Sequence, residues 1–138
     1  MMTRNAGFAL RSALVTMAII VVVFAIMATL LPKGFSDDLS RIGRGTPTAV
    51  LIHNKNGVES LNLMSVIDEL RHDFSGRVEF LIADVETDQG KLFLRQQQLG
   101  ETGLVLFAAD GTRVGILGPR LDERQLRAAL SGVVAVPR

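Results

Sequence analysis

Between residues 13 and 31 the chain reads ALVTMAIIVVVFAIMATLL, nineteen residues without a charge, in which only Thr16 and Thr29 are polar. At 1.5 Å per residue the run covers about 28 Å, close to the ~30 Å hydrocarbon layer that a spanning helix crosses. The sequence therefore predicts a transmembrane helix over 13–31 in contact with the lipid bilayer, preceded by a cytoplasmic N-terminal tail, 1–12. A cleaved signal peptide competes with this reading. Its apolar region usually has about 7–15 residues and ends at a small-x-small site, and nothing cleaner than AIMA precedes Pro32.

Arg4 and Arg11 precede the span with no acid among them, whereas Lys33, Arg41 and Arg44 after it are mixed with Asp37 and Asp38. Counting Lys and Arg alone nearly ties the two flanks; the acid-free amino-terminal side favours retention in the cytoplasm. A single-pass protein with an extracytoplasmic C-terminal domain, periplasmic if the cell is bacterial, is the expected localisation. Ala25 and Thr29, four residues apart, are a small-residue pair of the kind that packs membrane helices, although a run rich in Ala and Thr supplies such pairs by chance.

Residues 32–46 are polar and broken by Gly34, Gly43 and Gly45, which reads as a juxtamembrane linker with at most one helical turn capped by Ser36. The periodicity then changes. TAVLIH, 48–53, is β-branched, apolar and short enough for a strand; Leu63, Val66, Ile67, Leu70 and Phe74 form a helical stripe that Ser75-Gly76 stops. A strand apolar on both faces is expected over 78–86, followed by a helix capped by Asp88, passing through Leu92 and Phe93 and ending at Gly100. Two strands joined across Asp110-Gly111 come next, then a helix capped by Asp122 with Leu126, Ala129 and Leu130 inward and Gly132 at its end. A strand-helix-strand unit requires a parallel pair and the hairpin an antiparallel one. The result is an α/β domain over 47–134 with a mixed four-stranded sheet between helices, and a short tail, 135–138.

This order resembles the thioredoxin fold, a three-layer arrangement, and local phrases agree: VIDELRHDFSGRVEFLIADVETDQG is similar to that family's helix, strand and polar strand end, and GLVLFAADGTRVGILGP to its closing hairpin. A membrane segment ahead of such a domain resembles the membrane-tethered thioredoxin-like proteins of cytochrome c maturation. Aligned without gaps on VIDELRHDF, the two cysteines of the family's CxxC motif fall on Gly57 and Ser60, and the preceding tryptophan on Asn56. The family's buried acid falls on Leu51 and its cis-proline on Thr102. The resemblance thus implies the fold while the residues of dithiol exchange are absent together.

The chain contains no cysteine at all. Exchange proceeds through a thiolate and a mixed disulfide, so this chain is expected not to be a dithiol oxidoreductase. Ser60 near a helix start would need a base to become a nucleophile, and His53, seven residues earlier, is the one histidine close in sequence; strand alternation and the lack of an orienting acid weigh against that pair. Asp84, Glu86 and Asp88 superficially resemble a calcium loop, but Gln89 stands where glycine is needed and Arg95 where the closing Glu belongs. His53 and His72, without thiols, make no zinc set, and no glycine loop carries a phosphate-binding lysine. No catalytic, cofactor-binding or metal-binding residues are therefore expected. With 15 Lys and Arg against 14 Asp and Glu and neither Trp nor Tyr, a nucleic-acid surface is not expected either.

What remains is a surface. The resemblance implies a shallow groove for a polypeptide, built here from Asn54, Lys55, Asn56, Gly57, Val58 and Ser60 on one side and Glu101 and Thr102 on the other. The expected function is a redox-inactive binding, assembly or accessory subunit of a membrane or extracytoplasmic complex, with a protein partner. The alternatives are a non-catalytic helper in thiol-disulfide or cytochrome maturation pathways, and a thiol-independent enzyme.

Overall fold

A computed structural model describes residues 4–30 and 34–137. It divides into two compact units, 1–34 and 35–138. The first is helix α1, Arg4–Leu30, whose segment Arg11–Leu30 has a mean hydropathy of 2.8 and is uniformly exposed in the isolated chain. It is long and apolar enough to cross a membrane. Its two threonines satisfy their hydroxyls internally, Thr16 on the Ser12 carbonyl and Thr29 on the Ile26 carbonyl, so neither leaves an unpaired donor on the apolar surface. The described helix already includes Arg4, ahead of the apolar run; the expected stop at Pro32 lies outside the described residues.

The second unit runs β1 (Thr48–His53), α2 (Val58–Leu70), β2 (Glu79–Asp84), α3 (Asp88–Gln97), β3 (Gly103–Phe107), β4 (Arg113–Leu117) and α4 (Glu123–Val134). Its sheet has the order β2-β1-β3-β4, with β1 parallel to β2 and antiparallel to β3, and β3 antiparallel to β4. This is the thioredoxin-like α/β architecture with a mixed four-stranded sheet that the sequence pattern predicts. Strand alternation sorts the core into two layers. Ala49 and Leu51 of β1 pack with Leu63, Ile67, Leu126 and Leu130 of α2 and α4; Val50 and Ile52 pack with Phe93 of α3 and with Phe107.

The stretch read as a linker, 32–46, is part of the folded unit from Phe35 onward. The Ile82 amide donates to the Ser36 carbonyl, forming a single parallel bridge on the open edge of β2. Phe35 meets the Phe80 ring at 6.5 Å and lies under the Arg71 guanidinium at 5.0 Å, while Leu39 and Ile42 pack on the α3 side of the sheet. Arg41 pairs with Glu79 at 2.7 Å. The segment ends against the β3–β4 hairpin, where the Gly45 amide donates to the Ala109 carbonyl and Gly43, at φ +83, lies against Gly111. Its single turn, Leu39–Arg41, is capped by Asp38 and not by Ser36. Sequence polarity concealed this strap because its three apolar residues lie among charges and glycines, and only the assembled sheet gives them something to cover.

Element ends shift for local reasons. β2 stops at Asp84 because that carboxylate accepts the Glu86 amide and turns the chain, and Thr87, not Asp88, caps α3 through its hydroxyl and the Gly90 amide. α3 ends at Gln97, before Gly100; Gln98 adopts a left-handed conformation with its amide bonded back to Arg95, and Arg113 donates to the Gln97 carbonyl. α2 ends at Leu70, with the buried Phe74 held in the turns that follow. α4 carries the expected Asp122 cap, completed as a capping box by Gln125, and continues through Gly132 because Val133 is buried.

Candidate functional site

The corner between β1 and α2 is built on an Asx turn. Asn54 accepts the Asn56 amide on its side chain at 3.0 Å and the Gly57 amide on its carbonyl at 2.9 Å, which reverses the chain in three residues. Gly57 is the N-cap of α2 and contributes no side-chain cap. Lys55 forms an ion pair with Glu86, and the Asn56 amide group donates to the same carboxylate at 3.3 Å, so the corner is tied to the end of β2. The hydrogen bond to Glu86 is the main cause raising the Lys55 ammonium above its ordinary value.

Ser60 is fully buried. Its hydroxyl oxygen accepts the Asn54 amide at 3.0 Å and lies 3.1 Å from His53 Nδ1, within hydrogen-bond distance. The sequence argument that alternation separates His53 from Ser60 is corrected here: Leu51 points into the α2 layer, and two residues on, His53 lies on the same side. Proximity does not make a nucleophile, since the hydroxyl is closed to solvent and already engaged by a backbone donor. Leu51, where the resemblance placed a buried acid, is surrounded by Leu63, Ile67 and Leu104 in the apolar core.

Glu101 is exposed and Thr102 half-buried, immediately before β3. The last β1–β3 pair is Ile52 with Gly103, which sets Thr102 at the same end of the sheet as the corner. Among the described residues no hydrogen bond or ion pair joins Asn54, Lys55, Asn56, Gly57, Val58 or Ser60 to Glu101 or Thr102. A groove of about 600 Å³ instead flanks the corner on the α2–α4 side, lined by Glu59, Leu63, Val66, Pro119 and Leu121 among others. Glu59 and Arg120 pair across it at 2.8 Å. Val58 is 71% exposed and Leu61 49%, an apolar pair one helical turn apart in the first turns of α2. Leu61, Glu59 and Arg120 were not singled out from the sequence; the signal available was Leu61 lying outside the Leu63–Val66–Ile67 stripe.

No protein-family model matches the chain, and no curated protein sequence matches it significantly. Solved structures do. An uncharacterised thioredoxin-like protein from Clostridium perfringens superposes with a TM-score of 0.65 at 11% identity, covering 73% of this chain and 82% of that one. A yeast mitochondrial 1-Cys peroxiredoxin superposes with a TM-score of 0.59 at 15% identity, covering 72% of this chain and 95% of that one. At these identities the likeness establishes the thioredoxin-like fold and nothing about activity.

Proposed function

We propose that this chain is a single-pass membrane protein that displays a redox-inactive thioredoxin-like domain as a binding, assembly or accessory subunit of a membrane or extracytoplasmic complex. The observation that carries the reading is the state of the β1–α2 corner in a chain without cysteine. Gly57 and the sealed Ser60 occupy the positions that the resemblance assigns to the two thiols, and Val58 and Leu61 present apolar surface beside them. Apolar surface surrounded by polar residues is the arrangement of the core and rim of a protein contact. In this reading α1 spans the bilayer with its amino terminus in the cytoplasm and the domain outside. The partner is a polypeptide that covers Val58 and Leu61, with Asn54, Lys55 and Thr102 at the rim.

The Ser60–His53 contact is the one observation that favours a thiol-independent enzyme. Burial of the hydroxyl opposes it, because no substrate reaches an oxygen closed to water. A helper role in thiol-disulfide or cytochrome maturation is compatible with the same surface, and partner identity separates the two.

The test is affinity purification of the full chain from detergent-solubilised membranes, comparing the native corner with a Val58→Asp, Leu61→Asp double variant. Partners that copurify with the native chain and disappear from the variant support the reading. Partners retained by the variant overturn the assignment of the corner, and insulin reduction by the purified chain overturns redox inactivity.

A further inference from the structure

Nothing in the backbone requires a glycine at position 57. Its φ of −98° and ψ of 117° are extended values open to any residue, and an added Cβ would come no closer than 3.4 Å to Asn54. Gly111 is the opposite case: its φ is +89° and an added Cβ would meet the Gly43 Cα at 3.1 Å, so the hairpin demands it. What Gly57 brings to the corner is chemical. It follows Asn56, and without a Cβ its backbone nitrogen is open to approach by the side chain before it. The other asparagines, Asn5, Asn54 and Asn62, precede Ala6, Lys55 and Leu63, each of which shields its own nitrogen.

An asparagine followed by an unshielded amide cyclises. The Gly57 nitrogen attacks the Asn56 Cγ and forms an N–Cγ bond; the Cγ–Nδ2 bond breaks, and Nδ2 leaves as ammonia with the proton that the Gly57 nitrogen gives up. Water then opens the succinimide, at Cγ to yield aspartate or at the Asn56 carbonyl carbon to yield isoaspartate. Asn56 is exposed, so water and hydroxide reach it. In the closed corner both nitrogens are engaged: the Gly57 amide donates to the Asn54 carbonyl at 2.9 Å, and Asn56 Nδ2 donates to Glu86 Oε1 at 3.3 Å. Attack therefore requires the corner to open locally, and its rate carries the population of the opened form. We infer that Asn56-Gly57 is a spontaneous modification site, a succinimide-forming pair whose conversion to aspartate or isoaspartate is held back by the hydrogen bonds to Asn54 and Glu86. The aspartate product has no Nδ2 hydrogen to give Glu86 and sets a second carboxylate beside it; isoaspartate also lengthens the main chain of the turn by a methylene. In both, the tie between the corner and the turn after β2 is reduced to the Lys55 ion pair. This chemistry is independent of the function proposed for the corner.

The test incubates the full chain, folded in mild detergent, in mildly alkaline buffer, digests samples at intervals and reads the asparagine-to-aspartate mass gain by mass spectrometry, with isoaspartate peptides resolved by their separate elution. Asn56 should convert at least about tenfold faster than Asn54 or Asn62, and Gly57→Ala, whose Cβ the corner accommodates, should slow it by roughly tenfold. Glu86→Ala, which releases the Asn56 amide, should speed it by about two- to fivefold, the weight of an exposed contact to a charged group. Conversion of Asn56 no faster than that of Asn54 and Asn62, or unslowed by Gly57→Ala, overturns the site. So does a folded chain in which Asn56 stays intact while the urea-unfolded chain converts. A rate unchanged in Glu86→Ala overturns control by the corner.

Discussion

Replacing Ser60 by alanine removes one oxygen and tests whether the corner is a locked scaffold. The hydroxyl holds the Asn54 amide at 3.0 Å and shares a bond with His53 Nδ1 at 3.1 Å, in a residue with no solvent exposure. Ser60→Ala leaves the Asn54 amide without an acceptor, and an orphaned buried donor costs about 1–3 kcal/mol. Alanine returns up to about 0.5 kcal/mol in helix propensity at this first-turn position. The net expectation is a loss of about 1–2 kcal/mol. For a domain near 100 residues this lowers the melting temperature by roughly 5–15 °C. Far-UV circular dichroism of the full chain in detergent follows the melt, with α1 contributing a constant background, and hydrogen exchange reads the Asn54 amide directly. His53→Ala removes one of the same bonds, so the double variant should lose less than the sum of the singles, by about 0.5 kcal/mol or more. An Asn54 amide that exchanges no faster in Ser60→Ala, with a melting shift under about 2 °C, refutes the reasoning.

Other consequences are equally direct. Gly90 lets α3 approach the end of β2 so closely that a Cβ would lie 1.8 Å from the Asp84 carbonyl oxygen, so Gly90→Ala should destabilise the domain by about 3 kcal/mol in urea unfolding. Ile42→Asp in the strap should cost about 1–3 kcal/mol by the same assay, and a chain begun at Thr48 should be more protease-sensitive than one begun at Phe35; equal resistance refutes a structural strap. Asp110 accepts the Thr112 amide at 2.8 Å, and that bond holds its carboxyl below the usual 3.8. Its contribution is therefore complete above about pH 3.8 and is lost as pH falls through the lowered value, so Asp110→Asn should flatten the stability profile below pH 4 and leave its slope above pH 5 unchanged.

The parts of this fold that were legible in the sequence are those where burial and local pattern agree. TAVLIH is buried on both faces and lies in the sheet interior, the Leu63–Leu70 stripe faces β1, and Asp122 with Gln125 caps α4 as its spacing announces. The strap is illegible because its apolar residues, Phe35, Leu39 and Ile42, derive their burial from a sheet that exists only after its strands have paired. Strand alternation by itself does not say which face His53 takes; counted from Leu51, which the structure places in the α2 layer, it brings His53 to Ser60. An exposed leucine and an exposed arginine are individually ordinary, so the sequence does not mark Leu61 or Arg120; Arg120 is distinguished only by its pairing with Glu59 across the groove.

The corner loop is fastened before anything docks on it. Asn54 folds the turn on itself, Ser60 pins its first amide, and Glu86 grips both Lys55 and Asn56 from the turn that follows β2. Loops of this length commonly lose conformational freedom when they are captured, and that loss is subtracted from affinity. Here most of it is already spent in folding. Under the proposed function, a ligand for this corner would meet one preset shape, discrimination between ligands would fall to their fit against Val58 and Leu61, and binding would proceed with little change in backbone order, close to lock-and-key association.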